Sequence, residues 1–191
     1  MNILPDYIKG ERVQLRRSLS SHASAVWQYV KDNQDFFMKW QNSCWKSEKE
    51  IFDYFTELNS DKNHKDFYYT VFLGDRIIGT VNCWDVSTWR MACQLGYEIN
   101  PEYAGRGYMT EAVKLLVTEL ISAGFVRIKI ECATENIPSM KLAEKVGFVC
   151  EGIMKKDVFM KSVKRFCDTA VFAIVNEDNA IKLEKNRSSI V

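Results

Sequence analysis

Residues 93–113, CQLGYEINPEYAGRGYMTEAV, decide how this chain folds. The first part of the stretch alternates large apolar side chains with other residues, which is typical of a β-strand. Asn100 and Pro101 end this strand, because proline has no N–H for a ladder hydrogen bond. From Tyr108 onward, apolar residues recur at helical spacing, so the stretch predicts a strand, a loop and a helix. The alternating strand residues are Cys93, Leu95, Tyr97 and Ile99.

The loop contains two glycines, Gly105 and Gly107, on either side of Arg106. Glycines let a backbone turn tightly and approach a ligand closely. Free N–H groups that lead into a helix N-terminus favour phosphate, and the helix dipole adds about 0.3–1 kcal/mol per charge. A G-x-G pattern alone is more often a plain connection. No G-x-x-x-x-G-K-[ST] motif occurs, and Thr110 stands where a dinucleotide fingerprint has its third glycine.

Composition predicts one globular domain over residues 1–191, with 47% hydrophobic residues to form its core. The 26 basic and 25 acidic side chains leave a net charge of +1, which argues against a nucleic-acid partner. No apolar run approaches the roughly 18 residues of a membrane span, and the first residues lack the apolar core of a signal peptide. We therefore expect a cytoplasmic protein without a membrane partner.

Six cysteines are spaced irregularly, with no C-x-x-C pair, and the only histidines are His22 and His64. This pattern predicts buried free thiols and no metal site. Cys132, near the end of a predicted strand, is an alternative candidate for a nucleophile. It has no histidine near it in the sequence to act as its base.

Along the chain the predicted order is a strand, two helices, three strands, a helix, a strand, a helix and two strands, a mixed α/β pattern. The strand, helix, strand succession after residue 93 predicts a parallel pair. The polar residues 177–191 predict a frayed tail or a short helix. The predicted strands are residues 11–17, 67–73, 76–84, 93–99, 126–132, 148–160 and 165–175.

Two motifs carry a family resemblance. The loop EYAGRG, residues 102–107, resembles the [Q/R]-x-x-G-x-[G/A] signature of the GCN5-related N-acetyltransferases, the GNAT family. Residues 133–148, ATENIPSMKLAEKVGF, resemble the N-x-x-S-x-x-x-x-E-K-x-G-F segment of the RimJ/RimL branch, which acetylates ribosomal-protein N-termini. Residues 11–40 and 168–175 are similar to that branch too, so the resemblance covers about residues 9–176. Glu102 departs from the signature, where Gln or Arg is usual.

The resemblance implies a mostly antiparallel sheet of about seven strands, splayed between the fourth and fifth (residues 93–99 and 126–132), with about four helices. It also implies acetyl-CoA as cosubstrate. Tyr97 and Ile99 would line the pantetheine arm through main-chain contacts, and Asn136 would hydrogen-bond to it. The loop residues that would hold the pyrophosphate are Ala104, Gly105, Arg106, Gly107, Tyr108 and Met109.

For catalysis, the resemblance places the thioester beside the backbone N–H of Ile99, which would act as an oxyanion hole worth about 3–4 kcal/mol. Ser139 would donate to the leaving sulfur, or else satisfy backbone groups in the first turn of its helix. Glu98 is the first candidate for the general base, followed by Glu131 and Asp157. The family position at which some members carry a glutamate base aligns with Val158.

The acceptor is an amine. An α-amino group with a pKa near 8 loses about 1 kcal/mol of reactive fraction at pH 7, whereas a lysine loses about 4.6 kcal/mol, so a weak base suits a protein or peptide N-terminus. The alternatives are a small amine such as a polyamine or aminoglycoside, or a CoA-binding module without turnover. We expect a monomer or a homodimer. Four tryptophans are candidates for the acceptor wall: Trp40, Trp45, Trp84 and Trp89.

Overall fold

The computed structural model describes residues 4–60 and 66–188. Its strands, in chain order, are β1 (Tyr7–Lys9), β2 (Gln14–Arg17), β3 (Phe67–Leu73), β4 (Arg76–Ser87), β5 (Ala92–Ile99), β6 (Arg127–Ala133), β7 (Val149–Met160) and β8 (Arg165–Val175). The α-helices of the described residues are α1 (Ala23–Lys31), α2 (Gln34–Met38), α3 (Glu48–Ser60), α4 (Tyr108–Ser122), α5 (Ile137–Val146) and α6 (Glu177–Ser188).

The strands form one sheet in the order β1-β2-β3-β4-β5-β6-β8-β7. Every neighbouring pair is antiparallel except β5 and β6, which are parallel as the sequence predicts. These two strands pair only from Ala92 to Gln94, whereas β6 pairs with β8 along its whole length. The sheet therefore splays beyond Gln94, and we call the space that opens there the β5–β6 gap.

Helices cover both faces of the sheet. α4 and α5 pack on one face, where α4 inserts six buried side chains into the main core. α1, α2 and α3 form a second apolar cluster on the other face, together with Tyr68 and Ile77 of the sheet. The β5–β6 gap is thus bordered by helices on both sides. The buried residues of α4 are Met109, Ala112, Val113, Leu116, Val117 and Leu120.

The predicted fold class is confirmed, although the element counts differ. The missed strand is β1, whose three residues bury only Ile8 and so carry too little pattern to be recognised. The five-residue α2 falls in a stretch that the sequence predicts only as loop-like or as a short helix. Of the two alternatives predicted for the tail, the structure shows the helix, α6. The side chain of Asn179 in this helix donates to the carbonyls of Ile121 (2.8 Å) and Phe125 (3.0 Å). Residues 189–191 lie outside the described part of the chain.

Candidate active site

The glycine loop, residues 104–107, joins a short 3₁₀ turn (Pro101–Tyr103) to the first residue of α4. Gly105 and Gly107 have φ values of +76° and +81°, in the left-handed region that other residues enter only with strain. The side chain of Asn100 accepts a hydrogen bond from the amide of Glu102 (3.1 Å) and fixes the entry to the turn. The backbone path explains why glycine stands at both positions.

The glycine loop presents unpaired donors. Within the described residues, no protein oxygen accepts from the amides of residues 105–109, and the first helical bond comes from Glu111 to the carbonyl of Gly107 (3.1 Å). The amide of Ala104 differs, because it donates to the carbonyl of Pro101 (3.1 Å). Five of the six predicted loop residues therefore offer their amides at the positive end of α4, which is the arrangement that binds a diphosphate.

The backbone of β5 also faces open space. Asn100 donates to the carbonyl of Ile78 (2.8 Å), and Ile99 is paired with Gly79. Hydrogen-bonded and non-hydrogen-bonded pairs alternate along an antiparallel ladder, so the N–H and C=O groups of Tyr97 and Ile99 point away from β4. Since β6 has diverged by this point, those groups face the β5–β6 gap, as predicted.

Hydrogen bonds between Tyr97 and Ser139 bridge the β5–β6 gap on the side of α5, and one of them runs from the Tyr97 hydroxyl to the carbonyl of Ser139 (3.5 Å). The hydroxyl groups of Tyr97 and Ser139 lie 2.7 Å apart, and either one can be the donor. Ser139 stands in the first turn of α5, where its amide is bound by the carbonyl and the side-chain oxygen of Asn136 (3.0 and 3.3 Å). Because Asn136 caps the helix, the hydroxyl of Ser139 is not needed for capping. The amide nitrogen of the Asn136 side chain has no partner among the described residues.

The family resemblance predicts that Tyr97 lines the pantetheine arm through its main chain, but the sequence indicates no role for its side chain. In the strand pattern it counts only as one apolar position among several. Burial raises the pKa of Tyr97 to about 12, so its hydroxyl keeps its proton at neutral pH. Burial also raises the pKa of the neighbouring thiol of Cys132, although a hydrogen bond with Ser139 opposes the rise. Cys132 is therefore a poor nucleophile, because the thiolate is the reactive form.

Glu98 lies on the opposite face of the sheet, toward α1. The buried hydroxyl of Tyr29 donates to its carboxylate (3.1 Å). Burial raises the pKa of Glu98, and hydrogen bonds with Tyr29 and Gln41 oppose that rise without cancelling it. The pKa of Tyr29 is raised well above its usual value by its own burial and then by Glu98. This setting gives Glu98 an increased affinity for a proton.

The two other candidate carboxylates are placed differently. Glu131 forms an ion pair with Lys129 (2.8 Å) and accepts from Gln94 (3.3 Å), where β5 and β6 begin to diverge. Asp157 is exposed, in an irregular part of β7. Val158, next to it, pairs with Cys167. The structure therefore brings Glu98 into a half-buried, hydrogen-bonded setting and leaves the other two carboxylates outside it.

The α2–α3 loop (residues 39–47) and the β7–β8 turn (residues 161–164) lie over one end of the site, and we call them the cover. They are joined through Asn42, which donates to the carbonyl of Phe159 (2.7 Å) and accepts from the amide of Lys161 (2.9 Å). Ser162 adds a bond to the carbonyl of Lys39 (3.2 Å). Below this cover is a cavity of about 60 Å³, which holds a few waters at most. It is lined by Lys39, Trp40, Ala133, Glu135, Met160, Val163 and Cys167.

The four tryptophans separate into two groups. Trp40 lines this cavity, and Trp45 of the α2–α3 loop packs against Tyr54 at 5.4 Å. Trp84 pairs with Gln94 at the far end of β5 from Ile99. Trp89 is 72% exposed, with the guanidinium of Arg187 over its ring. Trp40 and Trp45 remain candidates for an acceptor wall, whereas Trp84 and Trp89 lie at the wrong end of the strand.

The cysteines form no disulfide. The prediction of buried thiols is confirmed for Cys83, Cys93 and Cys167, but Cys44 and Cys132 are half-buried and Cys150 is exposed. In the described part of the chain, no group of three or more potential ligands is placed to bind a metal. Nor is any helix there long and apolar enough to cross a membrane.

Comparison with known proteins identifies this architecture. The Acetyltransferase (GNAT) domain family matches residues 12–149. A probable N-acetyltransferase of Bacillus subtilis (strain 168), YjcK, is 28% identical over 90% of this chain and 98% of its own. The ribosomal-protein-serine acetyltransferase of Escherichia coli (strain K12) is 23% identical over 78% of this chain and 89% of its own.

Among solved structures, the ribosomal-protein-S5-alanine acetyltransferase of Vibrio fischeri is similar, with a TM-score of 0.82 and 25% identity. The match covers 90% of this chain and 97% of that one. These matches confirm the resemblance that the two sequence motifs carry. The chain belongs to the GNAT family and is an N-acetyltransferase with acetyl-CoA as its cosubstrate.

Proposed function

We propose that this enzyme transfers the acetyl group of acetyl-CoA directly to the α-amino group of a polypeptide N-terminus. The observation that carries the proposal is the placement of Glu98, a half-buried carboxylate with a raised pKa, one residue from the backbone donor of Ile99. Relatives of the chain support the same acceptor, since two of them act on ribosomal proteins according to their names.

The residues present fit the cosubstrate. The free amides of residues 105–109 would bind its diphosphate, and the main chain of Tyr97 and Ile99 would bind the pantetheine arm in the β5–β6 gap. The free side-chain N–H of Asn136 supplies a further donor to this arm. Ala104 would contribute without its amide, which is already paired. Acetyl-CoA supplies an activated acyl group in the form of a thioester.

Three groups of this chain would then act on the thioester. The N–H of Ile99 would polarise its carbonyl, an effect worth about 3–4 kcal/mol in comparable oxyanion holes. Tyr97, which keeps its proton, can donate to Ser139. The Ser139 hydroxyl would accept hydrogen bonds from Tyr97 and from the thiol of Cys132, and would direct its own proton at the leaving sulfur.

Glu98 would receive the proton of the attacking amine. A general base works best when its pKa lies near the working pH, so a carboxylate whose pKa is raised suits the role. If the acceptor is an α-amine, its deprotonation at pH 7 costs only about 1 kcal/mol. Glu98 can therefore act on an N-terminus more readily than on a lysine.

Transfer is direct in this proposal, without an acetylated enzyme. The thiol nearest to Ser139 is that of Cys132, and burial keeps it protonated. Two-substrate kinetics should give intersecting lines rather than the parallel lines of a covalent intermediate. The Cys132→Ala variant should retain turnover. Parallel lines, together with an inactive Cys132→Ala variant, would contradict direct transfer.

The cover suggests which N-termini fit best. Basic side chains surround it on the α2–α3 loop and the β7–β8 turn, and of these Arg165 is paired with Glu135 (2.7 Å). This charge favours a polypeptide with acidic residues after its first position. Such polypeptides and acetyl-CoA meet in the cytoplasm, where we expect the enzyme to work. The basic residues are Lys39 and Lys46 of the loop, Lys161 and Lys164 of the turn, and Arg165, the first residue of β8.

The test is to measure CoA thiol release with three sets of acceptors: N-terminal peptides, polyamines and aminoglycosides. We expect release with peptides that have a free α-amine, and none with the same peptides blocked at the N-terminus. Faster turnover of polyamines or aminoglycosides would assign a small-molecule acceptor. Tight acetyl-CoA binding without release on any amine would leave a CoA-binding module without turnover.

A further inference from the structure

Arg12, between β1 and β2, contacts the glycine loop from a distant part of the chain. Its Nη1 donates to the carbonyl of Arg106 (3.2 Å), and its Nη2 donates to the carbonyl of Gly107 (3.4 Å). Its Nε donates to the carboxylate of Glu111 in the first turn of α4 (2.8 Å). The guanidinium also lies 5.1 Å from the centre of the Tyr108 ring. One side chain thus contacts four residues of the glycine loop and the first turn of α4.

The segment that carries Arg12 is pressed against α4. Glu111 accepts from the backbone amides of Arg12 (2.7 Å) and Val13 (3.2 Å) as well as from the guanidinium. A Cβ on Gly10 would lie 2.7 Å from a methyl group of Leu115 and 2.8 Å from Glu111, so this turn approaches the helix as closely as glycine allows. The position of Arg12 is therefore fixed by its backbone.

The contacts of Arg12 set the direction of two amides. In a trans peptide the C=O of one residue and the N–H of the next point to opposite sides, and no cis peptide occurs in the described chain. Arg12 holds the carbonyl of Arg106, and it shares the carbonyl of Gly107 with the amide of Glu111. The N–H groups of Gly107 and Tyr108 are thereby turned to the side opposite Arg12. These two amides are among the unpaired donors of the glycine loop.

Arg12 also compensates a charge. The carboxylate of Glu111 lies in the first turn of α4, where it would repel a bound diphosphate. The ion pair with Arg12 offsets that negative charge, and only 15% of the Glu111 side chain is exposed. Although burial alone would raise it, the hydrogen bonds from Arg12 and Val13 hold the pKa of Glu111 below its usual value, so the carboxylate stays charged and paired.

We infer that Arg12 is a positioning residue for the diphosphate of acetyl-CoA: it orients the amides of Gly107 and Tyr108 toward the ligand and offsets the charge of Glu111. This inference rests on the proposed diphosphate site. It concerns the glycine loop alone and makes no demand on the acceptor side of the enzyme.

The test compares acetyl-CoA with S-acetylpantetheine, which carries the same thioester but lacks the diphosphate. In the Arg12→Met variant, we expect the KM for acetyl-CoA to rise about tenfold or more, because charge-assisted contacts are lost. The kcat, and the kcat/KM for S-acetylpantetheine, should stay within about twofold of wild type. If the wild-type enzyme turns over S-acetylpantetheine too slowly, its inhibition of the acetyl-CoA reaction provides the same comparison.

Two further variants keep the test decisive. Arg12→Lys keeps the charge but loses the fork that binds two carbonyls, so we expect a smaller rise in the KM for acetyl-CoA alone. Arg127→Met is the matched control, because Arg127 also forms a forked pair with a glutamate, Glu151, and is similarly exposed. The Arg127→Met variant should leave the KM and kcat unchanged for both acyl donors, acetyl-CoA and S-acetylpantetheine.

Equal losses with both acyl donors, or an unchanged KM for acetyl-CoA in both Arg12 variants, would overturn the inference. Failure of the proposed diphosphate site would look different, because the wild-type enzyme itself would then show no binding of acetyl-CoA at the glycine loop. Failure of the proposed acceptor would show as acetyl-CoA binding by the wild-type enzyme without acetylation of any peptide, and the Arg12 variants would still lower that binding.

Discussion

The proposed cofactor side and the proposed acceptor side of the β5–β6 gap are built in different ways. The cofactor side consists mainly of backbone amides from residues 105–109, held by glycine geometry at one place in the chain. The acceptor side consists of side chains from α1, β5, the α2–α3 loop and the β7–β8 turn, where Tyr29 and Glu98 meet although 69 residues separate them. A site made of backbone tolerates sequence change, whereas a site made of side chains can change its acceptor with a few substitutions.

The largest effect should follow from charge on the cofactor side. We expect Gly105→Asp to weaken CoA binding about a hundredfold or more, because it adds left-handed strain and places a carboxylate beside the diphosphate. Isothermal titration calorimetry with CoA measures the affinity of each variant. Gly105→Ala adds the strain without the charge, and Gly74→Asp makes the same substitution in the β3–β4 turn, where φ is +60°. Unchanged affinity in Gly105→Asp and Gly107→Asp would remove the loop from the site.

On the acceptor side, Glu98→Gln should lower kcat about a hundredfold, as loss of a general base does, and leave the affinity for acetyl-CoA unchanged. Only the ionised carboxylate accepts a proton, so wild-type activity should fall as the pH drops through the raised pKa of Glu98. The variant should lack this acidic limb of its kcat profile. Glu131→Gln and Asp157→Asn are the matched controls, and a larger loss in either would move the base away from Glu98.

A smaller effect is expected where the two sides meet, at the pair of hydroxyl groups of Tyr97 and Ser139. Ser139→Ala should lower kcat about tenfold with little change in the Kd for CoA, because the donor to the sulfur is lost. Tyr97→Phe should lower kcat to a similar extent. The fold loss of kcat in the double variant should be smaller than the product of the two single fold losses. Wild-type turnover in Ser139→Ala would leave that serine with a structural role.

The smallest effect concerns the charged cover. Lys161→Ala and Lys164→Ala should each raise the KM for an acidic N-terminal peptide about two- to fivefold at low salt, and less at high salt. Steady-state kinetics at two ionic strengths, with an uncharged peptide for comparison, measures this. Lys182→Ala removes an exposed lysine of α6 and serves as the control. The same change with acidic and uncharged peptides would mean that the lysines do not select the acceptor.

The contrast between the two sides also explains what the sequence could predict. The strand, the glycine loop and α4 are local, so apolar spacing and two glycines are sufficient to place them. The bond between Tyr97 and Ser139 joins residues 42 apart, and alternation in a strand gives no reason to expect it. Arg12 is 94 residues from the first carbonyl it binds, and nothing around it marks a partner.

Two predictions failed for reasons of geometry. Trp84 and Trp89 were candidates for the acceptor wall by residue type alone, but the register of β4 on β5 puts Trp84 opposite Gln94, and Trp89 follows beyond it. The exposed thiol of Cys150 lies near the start of β7, the strand at the edge of the sheet, where a pattern of apolar residues does not imply burial. Both predictions depended on the end or the edge of the sheet at which a residue lies, and residue type alone does not indicate that position.

The short ladder between β5 and β6 has a consequence for the whole molecule. Within residues 4–60 and 66–188, three paired positions join the half-sheet of β1 to β5 directly to the half-sheet of β6 to β8. A molecule in the gap would take up the backbone groups of Tyr97 and Ile99 that a longer β6 would have satisfied, and so would act as a missing length of strand. The thermal stability of the fold should then increase with the concentration of acetyl-CoA. The free energy of unfolding should rise by about 2.7 kcal/mol at a concentration a hundredfold above the Kd.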